Sequence, residues 1–237
     1  METLKLFVEL LPVNIIQGMI YALVALGIMI PLRILSFPDL TSEGSFPMGA
    51  CVLAACLEGG MPPVQATLVA IFAGALAGVA TASIHRWLHI NTMLCGIIVL
   101  TILFSINGRI MGKPNVALFN HPNVFSLIFG DHATNQYNQI LLLGTLLVLI
   151  TGLLYFFFQT QVGMAMRAVG ASVPMAKAQG IHVARYTAWG LALGGALTAL
   201  GASLQAQLQG FADVNLGFGV LINGLAAVIL GEALLGK

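Results

Sequence analysis

A chain of 237 residues that is 59% hydrophobic and only 7% charged lies far outside the range of soluble domains, in which about a quarter of residues carry charge. Its formal net charge of +1 gives no electrostatic reason to expect a nucleic-acid partner. Apolar runs reach the ~20 residues a helix needs to cross a bilayer and lack the alternation of barrel strands, so the chain reads as an integral membrane protein built of helices.

Glu2, Lys5 and Glu9 recur at helical spacing and predict a short interfacial helix over residues 1–12. That stretch has neither a basic leader nor a small-residue cleavage site, so a removed signal peptide is not expected. Residues 14–34 form the first expected crossing. Residues 36–45 carry Pro38, Asp39, Glu43 and Gly44, and the apolar run 46–57 that follows is too short to span alone. This combination reads as a broken membrane helix, and irregular backbone at membrane depth belongs where protein or a water-filled cavity satisfies it, in the bundle centre.

Residues 64–84 cross next, followed by His85-Arg86-Trp87-Leu88-His89, a basic and aromatic interfacial cluster. The two histidines stand at i, i+4, yet no third ligand is near, and no metal is expected. Asn91 caps a crossing over 92–106 that ends at Asn107-Gly108, and 108–138 is the longest polar loop. Residues 139–158 and 186–207 cross, and 217–236 is a glycine-rich final run. Cys51, Cys56 and Cys95 fall inside apolar segments, so burial explains them and no disulfide is implied. The expected fold is therefore all-α, a single polytopic bundle of about 7 membrane segments, two of them broken.

Residues 163–181 interrupt this pattern with a polar, basic stretch. Ser172 suits an N-cap, Pro174 a first helical turn and Gly180 a left-handed stop. The result is a helix of about seven residues, marginal without something to dock against. It is either a cytoplasmic docking helix for another subunit or an ordinary basic loop. The Lys and Arg distribution places Arg33, Arg86, Arg167, Lys177 and Arg185 in the cytoplasm and 108–138 outside, against the trend of Arg109 and Lys113.

Phe37-Pro-Asp-Leu-Thr41 and Phe211-Ala-Asp-Val-Asn215 share a pattern, each after a full crossing, and the orientation places them at opposite faces. That is the arrangement of a weak inverted repeat, 14–107 against an incomplete 186–237, whose broken helices line a substrate path. The candidate path residues are Asp39, Thr41, Ser42 and Glu43 from one segment, and Asp213, Asn215 and Asn223 from the other. Asp39 and Glu43 also fit a simpler role as caps or partners of Arg33. Glu232, in an apolar run, serves gating or a structural hydrogen bond. Gly74, Ala75, Gly78, Gly194, Gly195 and Gly201 are expected packing surfaces between helices. Two crossings follow the first broken segment and none follows the second, so a truncated copy or a face covered by a second protomer is expected.

The stretch Gly163-Met-Ala-Met-Arg-Ala-Val-Gly-Ala-Ser-Val-Pro-Met-Ala-Lys-Ala-Gln-Gly-Ile181 resembles the coupling-helix motif of bacterial ABC importer permeases of the branched-chain amino acid and ribose type. Leu35-Ser-Phe-Pro-Asp-Leu-Thr-Ser-Glu-Gly-Ser-Phe-Pro-Met-Gly-Ala50 is similar to the first broken segment of the tryptophan/tyrosine-type subgroup. The resemblance implies a multi-pass, homodimeric subunit of the bacterial cytoplasmic (inner) membrane that imports a small solute, an amino acid, aromatic ones included. It implies an extracytoplasmic binding protein and an ATP-binding cassette subunit whose groove receives Ser172, Val173, Pro174, Met175, Ala176, Lys177 and Gly180. ATP and Mg would be used by that partner, with no cofactor bound by this chain. The sequence itself holds no phosphate-binding Gly-x4-Gly-Lys-Ser/Thr loop and no nucleophile elbow, which fits a transport subunit and not an enzyme. The rival reading is an ion-coupled carrier or channel working through Asp39, Glu43 and Glu232.

Overall fold

The structure, a computed structural model, describes residues 2–130 and 135–234, with side chains from Leu10 onward. The charged side chains of the expected N-terminal helix, loop residues 131–134 and the end of the final run lie outside the described residues. Among the described residues, six helices are long and apolar enough to cross a membrane, and nearly all of the fold is helical. A further helix of 17 residues, α2 (Ser42–Glu58), is too short to join them and runs through their centre. The expected seven segments thus resolve into six spanning helices and one shorter, buried one.

Helix α1 (Glu2–Met29) is continuous through Pro12. The stretch expected as a separate interfacial helix continues into the first crossing without a break. The helix ends in a π turn, Ile30–Ile34, with Pro31 in its first turn. Proline donates no backbone hydrogen bond, which favours a break in the α ladder here. The chain then reverses at Ser36, whose φ of 51° is left-handed, and Phe37 donates from its amide to the Pro31 carbonyl at 2.9 Å.

Helix α2 is buried along most of its length, from Ser42 to Leu57, where a broken helix needs to be. Around it stand α3 (Pro63–Leu88) and α4 (Thr92–Met111). Asn91 caps α4 by accepting from the Met93 amide. The helix runs past Asn107-Gly108 to a left-handed Gly112, because Ile110 and Met111 extend its apolar face. In the 108–138 loop, β1 (Asn115–Ala117) and the six-residue α5 (Val124–Phe129) follow, the latter closed by a capping box between Asn123 and Ser126.

Helix α6 (Gln136–Gln159) crosses, α7 (Gln161–Ala171) and α8 (Val173–Ala178) form the basic interruption, and α9 (Val183–Gln209) returns across the membrane. Strand β2 (Phe211–Asp213) pairs antiparallel with β1, Asn115 opposite Asp213. This small ribbon is the one departure from the expected all-α fold among the described residues. A 3-10 turn, Val214–Gly217, leads into α10 (Val220–Leu234).

Glycines set how closely these helices pack. A methyl at Gly78 would overlap the Leu191 carbonyl, one at Gly74 would overlap that of Gly195, and one at Gly49 would strike the Ala199 backbone. Helices α3 and α2 thereby approach α9 backbone to backbone. In lipid, where apolar surface gains nothing by leaving one apolar medium for another, such close packing supplies the association energy. Gly194 against the Gly27 carbonyl does the same between α9 and α1, and Gly201 makes room there for the Val24 side chain, as expected for these small residues.

Candidate functional site

The two Asp segments make the same local turn. Asp39 accepts from the Thr41 amide at 2.8 Å, and Asp213 accepts from the Asn215 amide at 2.7 Å. A short acceptor bonding its own backbone two residues on is the Asx turn that starts a helix, and each turn is followed by helical structure, α2 in one case and the 3-10 turn in the other. The segments also meet. Gly217 lies against the Glu43 carbonyl and the Pro47 ring, with space for no side chain, so the second segment packs along the first turns of α2.

Around α2 the candidate residues separate into distinct environments. Asp39, Thr41 and Ser42 are buried. Thr41 and Thr81 share a hydroxyl hydrogen bond of 2.8 Å; since Thr81 donates to the Ala77 carbonyl, Thr41 is the donor between them. Ser45, which the sequence did not mark, hydrogen-bonds Thr198 at 2.9 Å. Glu43 is half-buried, and its side chain makes no hydrogen bond or ion pair among the described residues. It lines a recess of about 30 Å³ with Leu100, Phe104 and Phe218, the two rings 6.4 Å apart. A water needs about 10–15 Å³, so this recess holds one or two waters and no amino acid.

Asn215 and Asn223 are exposed, as is Phe218, so the second segment presents its polar groups on the open side of the bundle. Glu232 is partly exposed and makes a structural contact. Its carboxylate meets the Arg33 guanidinium at 2.8 Å where α10 passes the π turn. Asn107, overlooked in the sequence because it reads as a helix end, is fully buried, donates to the Gly44 carbonyl and leaves its own Oδ1 without a partner.

The basic interruption has the anticipated caps. Ser172 accepts from the Met175 amide at 3.5 Å, Pro174 stands in the first turn and Gly180 is left-handed at φ 78°. Helix α8 is six residues long, with Val173, Pro174, Met175 and Lys177 exposed. Ala176 is the exception to the expected contact set: it is 1% exposed and packs into a cluster with Leu35, Met166 and Val169. It seats the helix on the bundle. Behind it, Gly170 of α7 abuts the Ile34 carbonyl, and Ser36 donates to the Gly170 carbonyl at 3.1 Å, so the interruption is keyed to the π turn.

Comparison with known proteins finds relatives of this chain among permeases. Residues 13–236 match the family described as the permease component of the branched-chain amino acid transport system. A tyrosine transport system permease protein of Clostridioides difficile is 38% identical over 221 residues, which are 93% of this chain and 72% of that one. An uncharacterized protein, RP368, of Rickettsia prowazekii is 32% identical over 216 residues, 91% of this chain and 74% of that one. The galactose/methyl galactoside import permease protein MglC of Haemophilus influenzae is 22% identical over 231 residues, covering 91% and 68%. No solved structure matches. With a family match across nearly its whole length and six spanning helices, the chain is a multi-pass membrane protein that belongs to the permease family of the branched-chain amino acid transport system.

Proposed function

We propose that this chain is the membrane-spanning subunit of an ATP-driven importer of amino acids, with an aromatic amino acid as its solute. The observation that carries the reading is α8: a capped six-residue helix, fixed to the bundle by Ala176 and displaying Val173 and Met175, on a chain of this permease family. Two exposed apolar side chains on a helix end outside the spans are the surface a cytoplasmic ATP-binding cassette subunit would cover. ATP and Mg would act in that subunit, and an extracytoplasmic binding protein would deliver the solute. The 38% identity to a tyrosine transport system permease protein supports the aromatic solute.

The translocation path runs between the two Asp segments, with Glu43, Phe104 and Phe218 at its narrowest point. A carboxylate beside two aromatic rings suits an α-ammonium group and an aromatic side chain. The open face bearing Asn215 and Asn223 meets a second protomer in the bacterial cytoplasmic membrane, giving the homodimer. An ion-coupled carrier would work through Asp39, Glu43 and Glu232; Asp39 is held in its turn and Glu232 by Arg33, which leaves Glu43 as the carboxylate without a side-chain partner among the described residues. The deciding experiment is uptake of labelled tyrosine into proteoliposomes holding the chain with its ATPase and binding protein. Uptake that needs ATP supports the reading; uptake driven by an ion gradient with the ATPase omitted would overturn it.

A further inference from the structure

Where α3 ends, a recess of about 350 Å³ opens between α3, α8 and α9, lined by His85, Arg86, His89, Lys177 and Thr187 over an apolar floor that includes Ala82. The volume lies in the range of small-molecule clefts, about 300–1,000 Å³. Every charged lining group is basic. Of the described carboxylates at this end, Glu232 is tied to Arg33 and Asp39 is buried in its own turn, outside the lining. The rim beside the recess is apolar and open, with Trp87 at 82% and Leu88 at 60% exposure, a pairing of basic and aromatic side chains that marks the membrane interface.

We propose that this recess binds the headgroup of an anionic phospholipid. Arg86 and Lys177 supply the fixed cations, and Thr187 supplies a hydroxyl. His85 is oriented by donating from Nδ1 to the Ile90 carbonyl at 2.9 Å, with the Phe37 ring edge-on to it at 5.2 Å. The acyl chains would leave over Trp87 and Leu88 into the bilayer. Basic recesses between membrane helices on the cytoplasmic side recognise anionic headgroups in this way. The placement has a structural purpose. Arg86 belongs to α3 and Lys177 to α8, so one headgroup would fasten to the bundle a six-residue helix whose buried contact is Ala176.

The test uses the full chain, purified and stripped of lipid in detergent, with native mass spectrometry counting lipids as phosphatidylglycerol or phosphatidylcholine is added. One phosphatidylglycerol per chain is expected to be retained in preference to phosphatidylcholine. The double variant Arg86→Gln/Lys177→Gln should weaken that retention about thirtyfold, from two basic side chains near one anionic headgroup, while Arg86→Lys/Lys177→Arg keeps it. Should the double variant fail to fold, Lys177→Gln alone, at an exposed position, should weaken retention about fivefold. Equal retention of the two lipids, undiminished retention in the glutamine variants, or equal protection by inorganic phosphate would overturn the proposal. So would loss of the bound lipid on assembly with the ATPase, which would assign the recess to a carboxylate of that partner.

Discussion

Gly170 faces the Ile34 carbonyl so closely that a single methyl on its α-carbon would overlap that oxygen. The contact joins the end of α7, which leads straight into α8, to the π turn that opens the broken segment. Under the proposed function, a movement of α8 would reach the π turn through this contact. Gly170→Ala is expected to lower stability by about 1–3 kcal/mol, the range for overpacking, and to cut ATP-driven uptake more than ATPase binding. Uptake per ATP hydrolysed in proteoliposomes checks this; unchanged coupling would mean the contact only packs.

The docking surface should respond to the side chains that α8 displays. Met175→Glu, at 63% exposure, is expected to leave the fold intact and abolish co-purification with the ATPase. Ala176→Glu should instead unseat the helix, since it puts a carboxylate among Leu35, Met166 and Val169. Limited proteolysis between α7 and α9 would separate these outcomes, with accelerated cleavage for Ala176→Glu only.

Arg33 and Glu232 are 62% and 35% exposed, so their attraction is screened. A double-mutant cycle on Arg33→Gln and Glu232→Gln is expected to give a coupling energy of about 0–1 kcal/mol that shrinks with added salt. A coupling several times larger, insensitive to salt, would show that the pair is desolvated in the assembled protein.

Helix approach gives a contrast between two glycines. Gly78→Ala meets the Leu191 carbonyl and peptide, whereas Gly152→Ala meets nothing within 4 Å. The first should lower the thermal midpoint by several degrees or prevent folding. The second should be neutral or slightly stabilising, since alanine is about 1 kcal/mol the better helix former. Thermal unfolding in detergent reads both.

Accessibility distinguishes the two Asp segments. Thr41 is 1% exposed and bonded to Thr81, while Asn215 is exposed. Asn215→Cys should react quickly with a small polar thiol reagent and be protected by solute, and Thr41→Cys should react only during turnover. Equal rates at both positions, untouched by tyrosine or ATP, would remove them from the path.

Much of this was legible in the sequence because lipid imposes simple rules. Span lengths, the central place of the Pro38-Asp39 break and the Ser172 and Asn91 caps each follow from backbone groups that must be satisfied locally. Contacts made across the fold were not legible. Nothing near Ala176 indicates that it faces inward, because a six-residue helix shows less than two turns of periodicity. Glu232 found Arg33, some 200 positions away in the chain. The recess at Glu43 needed Phe104 and Phe218, which in sequence are ordinary apolar residues of separate helices. Strand β1 was hidden for a similar reason: three residues have no pattern, and their partner lies beyond α9.

That strand pairing bears on how the protein is made. Asn115 and Asp213 are 98 positions apart, and everything from α5 to α9 is threaded between them. During synthesis the first half therefore emerges with β1 unpaired, its edge open until α9 has been made and β2 arrives. The ribbon can close only then, ahead of α10, and its closure fixes where the second Asp segment begins.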